Sequence, residues 1–140
     1  MSAPESLLEA RRWLRFAHED MRLAEMLLRE ERGAPRHICW LAQQAAEKAI
    51  KAVLVFLQVD FPKSHDLDAL RILVPDGWGI KSVYPDLADL AEWAVEARYP
   101  SDWPEAALPE AREAVEKARA MLNSAVDDLR GRGLVFDDGQ

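Results

Sequence analysis

Cysteine is nearly missing from this chain: of 140 residues only Cys39 carries a thiol. No internal disulfide can form, so the core alone must hold the fold, and a reducing compartment, the cytoplasm, is expected. Long apolar runs are missing too. The stretch Val53 to Leu57 is far too short to cross a bilayer, and no membrane contact is expected. The opening Met-Ser-Ala-Pro-Glu-Ser brings polarity and charge before any apolar run, unlike a secretory leader. Histidine is scarce. His18, His37 and His65 sit on three separate segments, with no Glu-x-x-His and no His-Glu-x-x-His, so no metal site is expected. A P-loop and a Gly-x-Gly-x-x-Gly turn are both absent, and no cofactor is expected. Positive charge is in deficit: Lys plus Arg number 18 against 25 for Asp plus Glu, a net charge of −7. That balance argues against tight duplex DNA binding, while leaving room for a local basic pocket that takes a nucleotide or an RNA end.

What is present suffices for one domain. With 49% hydrophobic and 31% charged residues, wholesale disorder is excluded. A chain of this length buries roughly 68% of its extended surface on folding. The 8 prolines and 6 glycines are clustered, and the stretches between them are rich in alanine, the best helix former, which occurs 22 times.

Those stretches predict an all-α fold, an antiparallel four-helix bundle with one additional short helix. The first helix is expected from about Glu5 to Arg32, entered at Pro4 and stopped by Gly33. Its seam of Leu7, Ala10, Leu14, Ala17, Met21, Ala24 and Leu28 advances by alternating steps of three and four residues, the spacing of a bundle and not of a strand. The second, from about Pro35 to Val59, carries two adjoining stripes, one led by Ile38 and Ala42 and the other by Cys39 and Ala46, so it should be the most buried. A short third helix, His65 to about Val74, should be capped by Ser64. A fourth is expected from Pro85 to about Arg98, with Leu87, Leu90, Ala94 and Ala97 inward, and a fifth from Pro109 to Arg130. Residues 1–130 form the domain; 131–140 read as a loose tail.

One succession of residues is more specific than its periodicity. Gln43-Gln44-Ala45-Ala46-Glu47-Lys48-Ala49 is followed by Ser64-His65-Asp66-Leu67 and later by Ala97-Arg98-Tyr99-Pro100, with Trp13, Ala17, Asp20 and Ala24 upstream. From about Trp13 to Leu129 this resembles the HEPN domain family. The resemblance implies a helical bundle that commonly dimerises and often works with a small nucleotidyltransferase in toxin–antitoxin-like modules. Many members are metal-independent ribonucleases whose signature is an Arg, four to six residues, then a His near the start of the final main helix. In such a site histidine moves a proton during attack by the ribose 2′-hydroxyl, and arginine stabilises charge on the phosphate. Here the chain departs from the signature. Counting on from Arg98, the histidine positions hold Trp103, Pro104 and Glu105. Literal matches, Arg32 to His37 and Arg11 or Arg12 to His18, fall on the first hairpin, in another part of the domain.

The candidate site residues each carry two readings. Arg98 and Tyr99 offer a phosphate-binding or catalytic guanidinium beside a stacking ring, or a favourable cation at a helix C-terminus with tyrosine as a plug. Gln44, Lys48 and Lys51 share a helix face and form a ligand-binding positive patch with Arg98, or a solvated stripe in which Glu47 and Lys51 pair for about 0.3 kcal/mol. His65 and Asp66 form an acid–base couple, or simply start a helix. His18 and His37 are expected on helix surfaces or packing edges, and Cys39 in the core. Trp13, Trp40 and Trp93 are expected in core or a subunit seam. Trp78 and Trp103 mark either a contact surface or the bundle's open end. The leading expectation is a non-enzymatic nucleotide- or RNA-binding module, a homodimer acting with a nucleotidyltransferase. The alternatives are a metal-independent endoribonuclease with a non-standard site around Arg98 and a structural docking module.

Overall fold

The computed structural model describes residues 2–96 and 105–137. Five helices run in the order α1 (Ala3–Glu30), α2 (Pro35–Phe56), α3 (Leu67–Ile72), α4 (Ala88–Glu96) and α5 (Leu108–Gly131), with a single 3-10 turn at Gly79–Lys81 before α4. No strand occurs among the described residues.

Helix α1 begins where Ser2, in extended backbone, accepts a hydrogen bond from the Glu5 amide through Oγ (3.2 Å), with proline in the first turn. Its inner row of Ala10, Leu14, Ala17, Met21 and Ala24 is fully buried, as the three–four spacing requires. The stop comes two residues earlier than Gly33 suggests. Glu31 itself adopts the left-handed conformation at φ 52°, and Gly33 at φ 75° completes the reversal into Pro35.

Helix α2 packs against α1, α3, α4 and α5. Both of its stripes are buried, and the alanines at 42, 45, 46, 49 and 52 let the neighbouring helices approach closely. It ends at Phe56, not Val59, because Gln58 turns left-handed at φ 56°.

Asp66, and not Ser64, caps α3. Its Oδ1 accepts from the Ala69 amide (3.1 Å), while Ser64 Oγ accepts from the Asp66 amide (3.0 Å), so the helix opens at Leu67. The buried Arg71 on α3 donates to the carbonyls of Tyr84 and Pro85 and to Asp68, fixing the chain's approach to α4. That approach is bent and non-helical as far as Leu87, and Asp86 Oδ1 accepts from the Ala88 amide (2.8 Å), so α4 starts later than Pro85. Leu87 and Leu90 point inward as expected; the side chains of Ala94 and Ala97 lie outside the described residues.

The loop before α4 is clamped to α5. Asp128 Oδ2 accepts from the amides of Gly79 (2.7 Å) and Ile80 (3.3 Å). The approach leaves no room for a side chain at Gly79, where a Cβ would sit 2.8 Å from Ser124 Oγ. Trp78 is buried, edge-on to Phe56 and under the Arg132 guanidinium at 3.7 Å, so it closes the open end of the bundle and is not a contact surface. The segment after α5, expected to be loose, packs on the bundle as far as it is described. Leu134 is buried, Phe136 stacks on His18 at 5.3 Å, and its carbonyl accepts from Arg130. His18 is buried beneath that contact and not on a surface.

Ala45 sits without any exposed area on the most enclosed helix. Ala45→Leu is therefore expected to lower stability by about 1–3 kcal/mol through overpacking, read as a lower urea midpoint at unchanged slope.

Candidate functional site

The polar residues of α2 do not form a solvated stripe. Gln43, Gln44, Glu47 and Lys51 are all buried, and the expected surface pair of Glu47 and Lys51 is an interior one. Spacing places Gln43, Glu47 and Lys51 one turn apart on a single face. Glu47 is the hub. Its Oε1 accepts from Gln43 Nε2 (3.1 Å) and His65 Nδ1 (2.7 Å), and its Oε2 accepts from Lys51 Nζ (3.0 Å). Gln43 also donates to the His65 carbonyl (3.4 Å) and accepts from Gln44 Nε2 (2.7 Å). The Lys51 ammonium is closed in by the faces of Trp13 and Phe61, at 5.7 and 5.6 Å.

Burial pushes the Glu47 carboxyl up, but hydrogen bonds from His65, Lys51 and Gln43 outweigh it, and the pKa lies below the ordinary glutamate value. Glu47 is therefore ionised and accepts only, so Nδ1 of His65 carries the proton. The other ring nitrogen is left to accept when the ring is neutral and to donate when it is charged. The His65 side chain is 47% exposed, against 5% for Glu47 and 10% for Lys51. Of this network, the imidazole is what solvent or a ligand can reach.

The residues named from sequence are thus only partly brought together. Lys51, Gln44 and His65 join one network, and Asp66 lies beside it as the α3 cap. Lys48 is turned away onto α1, where Nζ donates to Asp20 Oδ2 (2.5 Å) and lies 5.9 Å from the Phe16 ring. Arg98 and Tyr99 lie outside the described residues, so their place beside Lys48 is not part of this geometry. Sequence reasoning missed Glu47 as the centre and Gln43 as its second donor. The readable signal was the one-turn ladder Gln43–Glu47–Lys51. No cluster of metal-ligating residues occurs among the described residues. No helix among them is long and apolar enough to cross a membrane. A cleft of about 200 Å³ between α4 and α5 is lined by Asp89, Glu92, Glu110 and Glu113, with Lys117 bound to Glu113 at 2.9 Å. Its charge repels anions.

A long helical hairpin covered by α5, with an inward Gln-Glu-Lys ladder and a following histidine, is the arrangement of one domain class. The HEPN domain model matches residues 10–129, and the chain belongs to the HEPN domain family. Two solved structures are similar to it. TT1696 from Thermus thermophilus is 25% identical over 85% of this chain and 97% of that one, with a TM-score of 0.69. ST0689, an archaeal HEPN homologue, is 24% identical over 84% of this chain and 95% of that one, with a TM-score of 0.62, and shares the fold. No curated protein matches the sequence.

The buried groups have measurable consequences. Glu47→Gln leaves Lys51 without its counter-charge and is expected to cost about 3 kcal/mol at neutral pH. Because the native pKa of Glu47 is depressed, the stabilisation is complete above about pH 4.3 and is lost as pH falls below it, toward the native value. The gap between the two proteins in denaturant titrations should therefore narrow in that acid range. Cys39 is buried, and burial, with a smaller push from the Glu110 charge, raises its thiol to about 12. Its reaction with a maleimide should be negligible in the native protein and fast in denaturant.

Proposed function

We propose that this protein is a HEPN module that binds a nucleotide or RNA without cleaving it. It would do so as a homodimer acting with a small nucleotidyltransferase in a toxin–antitoxin-like pair. The observation that carries the binding reading is the His65–Glu47 couple. A largely accessible imidazole is held at 2.7 Å by a buried, ionised carboxylate, which fixes its tautomer and orientation toward whatever occupies the surface. Such a ring hydrogen-bonds a phosphate oxygen once protonated. Family membership supports the dimer and the partner, since the resemblance that implied both extends over residues 10–129.

The non-catalytic half of the reading rests on the sequence after Arg98, where Trp103, Pro104 and Glu105 stand in place of a histidine. Trp103 and Pro104 cannot move a proton as an imidazole does near neutral pH, and Glu105, which could in principle, is exposed and paired with Arg36.

Titration calorimetry with ATP and with a short single-stranded RNA tests binding. Heat is expected for at least one ligand, weakened severalfold in His65→Ala; flat traces at millimolar ligand overturn the reading. RNA cleavage that persists in EDTA and disappears in Arg98→Ala would replace it with the ribonuclease alternative. Sedimentation of the purified chain reads the dimer, and co-purification from the native host reads the nucleotidyltransferase.

A further inference from the structure

Lys51 and Lys48 of α2 are already engaged, by Glu47 and Asp20, and Arg36 pairs with Glu105, so a chain of phosphates needs other cations. The outer side of α1 supplies what α2 lacks. A groove of about 460 Å³ runs along it, lined by Arg11, Arg12, Arg15 and Arg22, with Phe136 of the tail as the far wall. That wall is held in place by its stack on His18 and by the Arg130 bonds to its carbonyl. Four guanidiniums thus face one groove on a chain whose net charge is −7. The opposing charges at the groove are Glu19 and Asp137.

Arg12 is tied only to Glu9, in an exposed contact of 3.1 Å, the kind that holds a side chain weakly. Arg11 and Arg15 make no ion pair among the described residues. They stand one turn apart, a rise of about 6 Å, with Arg22 about 10 Å further on. A row of planar forks at that interval suits a chain of phosphates better than one isolated anion. Next to Arg15, in a neighbouring hollow that it shares with Glu9, Arg12 and Trp13, Phe16 is 47% exposed. The Arg15 guanidinium lies 5.3 Å from its centre and the Lys48 ammonium 5.9 Å. An exposed ring beside a line of arginines is the pairing that single-stranded nucleic acid uses, phosphates on the cations and bases on the ring.

We propose that this groove is a track for single-stranded RNA, in which Arg11 and Arg15 hold successive backbone phosphates and Phe16, beside Arg15, stacks a base. The inference rests on the RNA-binding reading above and assigns the phosphate contacts to α1 in place of α2. Its competitor is a protein partner, because Leu8, Leu23 and Met26 are also exposed on this side of α1.

Fluorescence anisotropy with a labelled uridine dodecamer at about 50 mM salt decides the matter. The full chain is expected to bind the dodecamer at least about tenfold more tightly than ATP, because several phosphates are engaged together. Arg11→Glu with Arg15→Glu should lower dodecamer affinity by about tenfold or more, and should reduce the slope of log affinity against log salt by about 1.4 for two lost phosphates. Arg11→Gln with Arg15→Gln should give an intermediate loss, and serves if the double reversal misfolds. Lys117→Glu on α5, a single reversal outside this groove, should leave binding unchanged. RNA binding that survives both double variants overturns the inference while leaving the binding reading intact. No dodecamer binding by the wild type overturns the inference, and the loss of ATP binding as well overturns the binding reading. A sedimentation change in the double variant with unaltered RNA affinity assigns the face to protein contact and also overturns the track.

Discussion

Everything in this molecule depends on how α2 can be enclosed by four other helices while carrying Gln43, Gln44, Glu47 and Lys51. Enclosure is possible on the apolar sides because alanine occupies so many contact positions that backbones, and not side chains, set the spacing. On the polar side it is possible because the helix satisfies itself. One carboxylate accepts hydrogen bonds from an amide and an ammonium on its own helix and from one imidazole brought in by the following loop. A buried ion pair by itself is weak support for stability, since desolvation offsets attraction. Here a third donor and two aromatic faces complete the shell. The network thus fixes where the loop after α2 must return and, through Asp66, where α3 must begin.

The five helices and their inner rows were legible because proline, glycine and three–four spacing are local signals. Ala10 to Ala24 on α1 and Ala111 to Leu129 on α5 are buried as their periodicity says. Boundaries slipped where a non-glycine residue took the left-handed turn, as Glu31 and Gln58 do, since their types give no hint of it. The cap of α3 slipped because serine and aspartate two residues apart are equally good caps, and only tertiary packing chooses. The candidate site was less legible. Charged residues on α2 read as a surface because the partners that make burial tolerable, Trp13, Phe61 and His65, come from segments far away in the chain.

Helix α1 shows the opposite division of labour. Its inner row is small and apolar and is consumed by packing against α2. Its outer side carries Arg11, Arg12 and Arg15, whose contacts within the fold are the Phe16 contact of Arg15 and the weak Glu9 pair of Arg12. A structural helix needs only one such apolar face. Arg11, Arg12 and Arg15, gathered on the other in a protein with more acidic than basic residues, do little for the packing of the helices.

The Asp128 clamp has a mechanical consequence. Because one carboxylate near the end of α5 grips two successive amides of the loop before α4, and Arg132 lies over Trp78 in the same place, the last turn of α5 and that loop form one stiff joint. Any tilt of α5, whether from a docking protein or a second subunit, would be conveyed to the segment leading into α4 and not dissipated in slack chain. The end of the bundle opposite the α1–α2 reversal is therefore a lever, with Gly79 as its fulcrum.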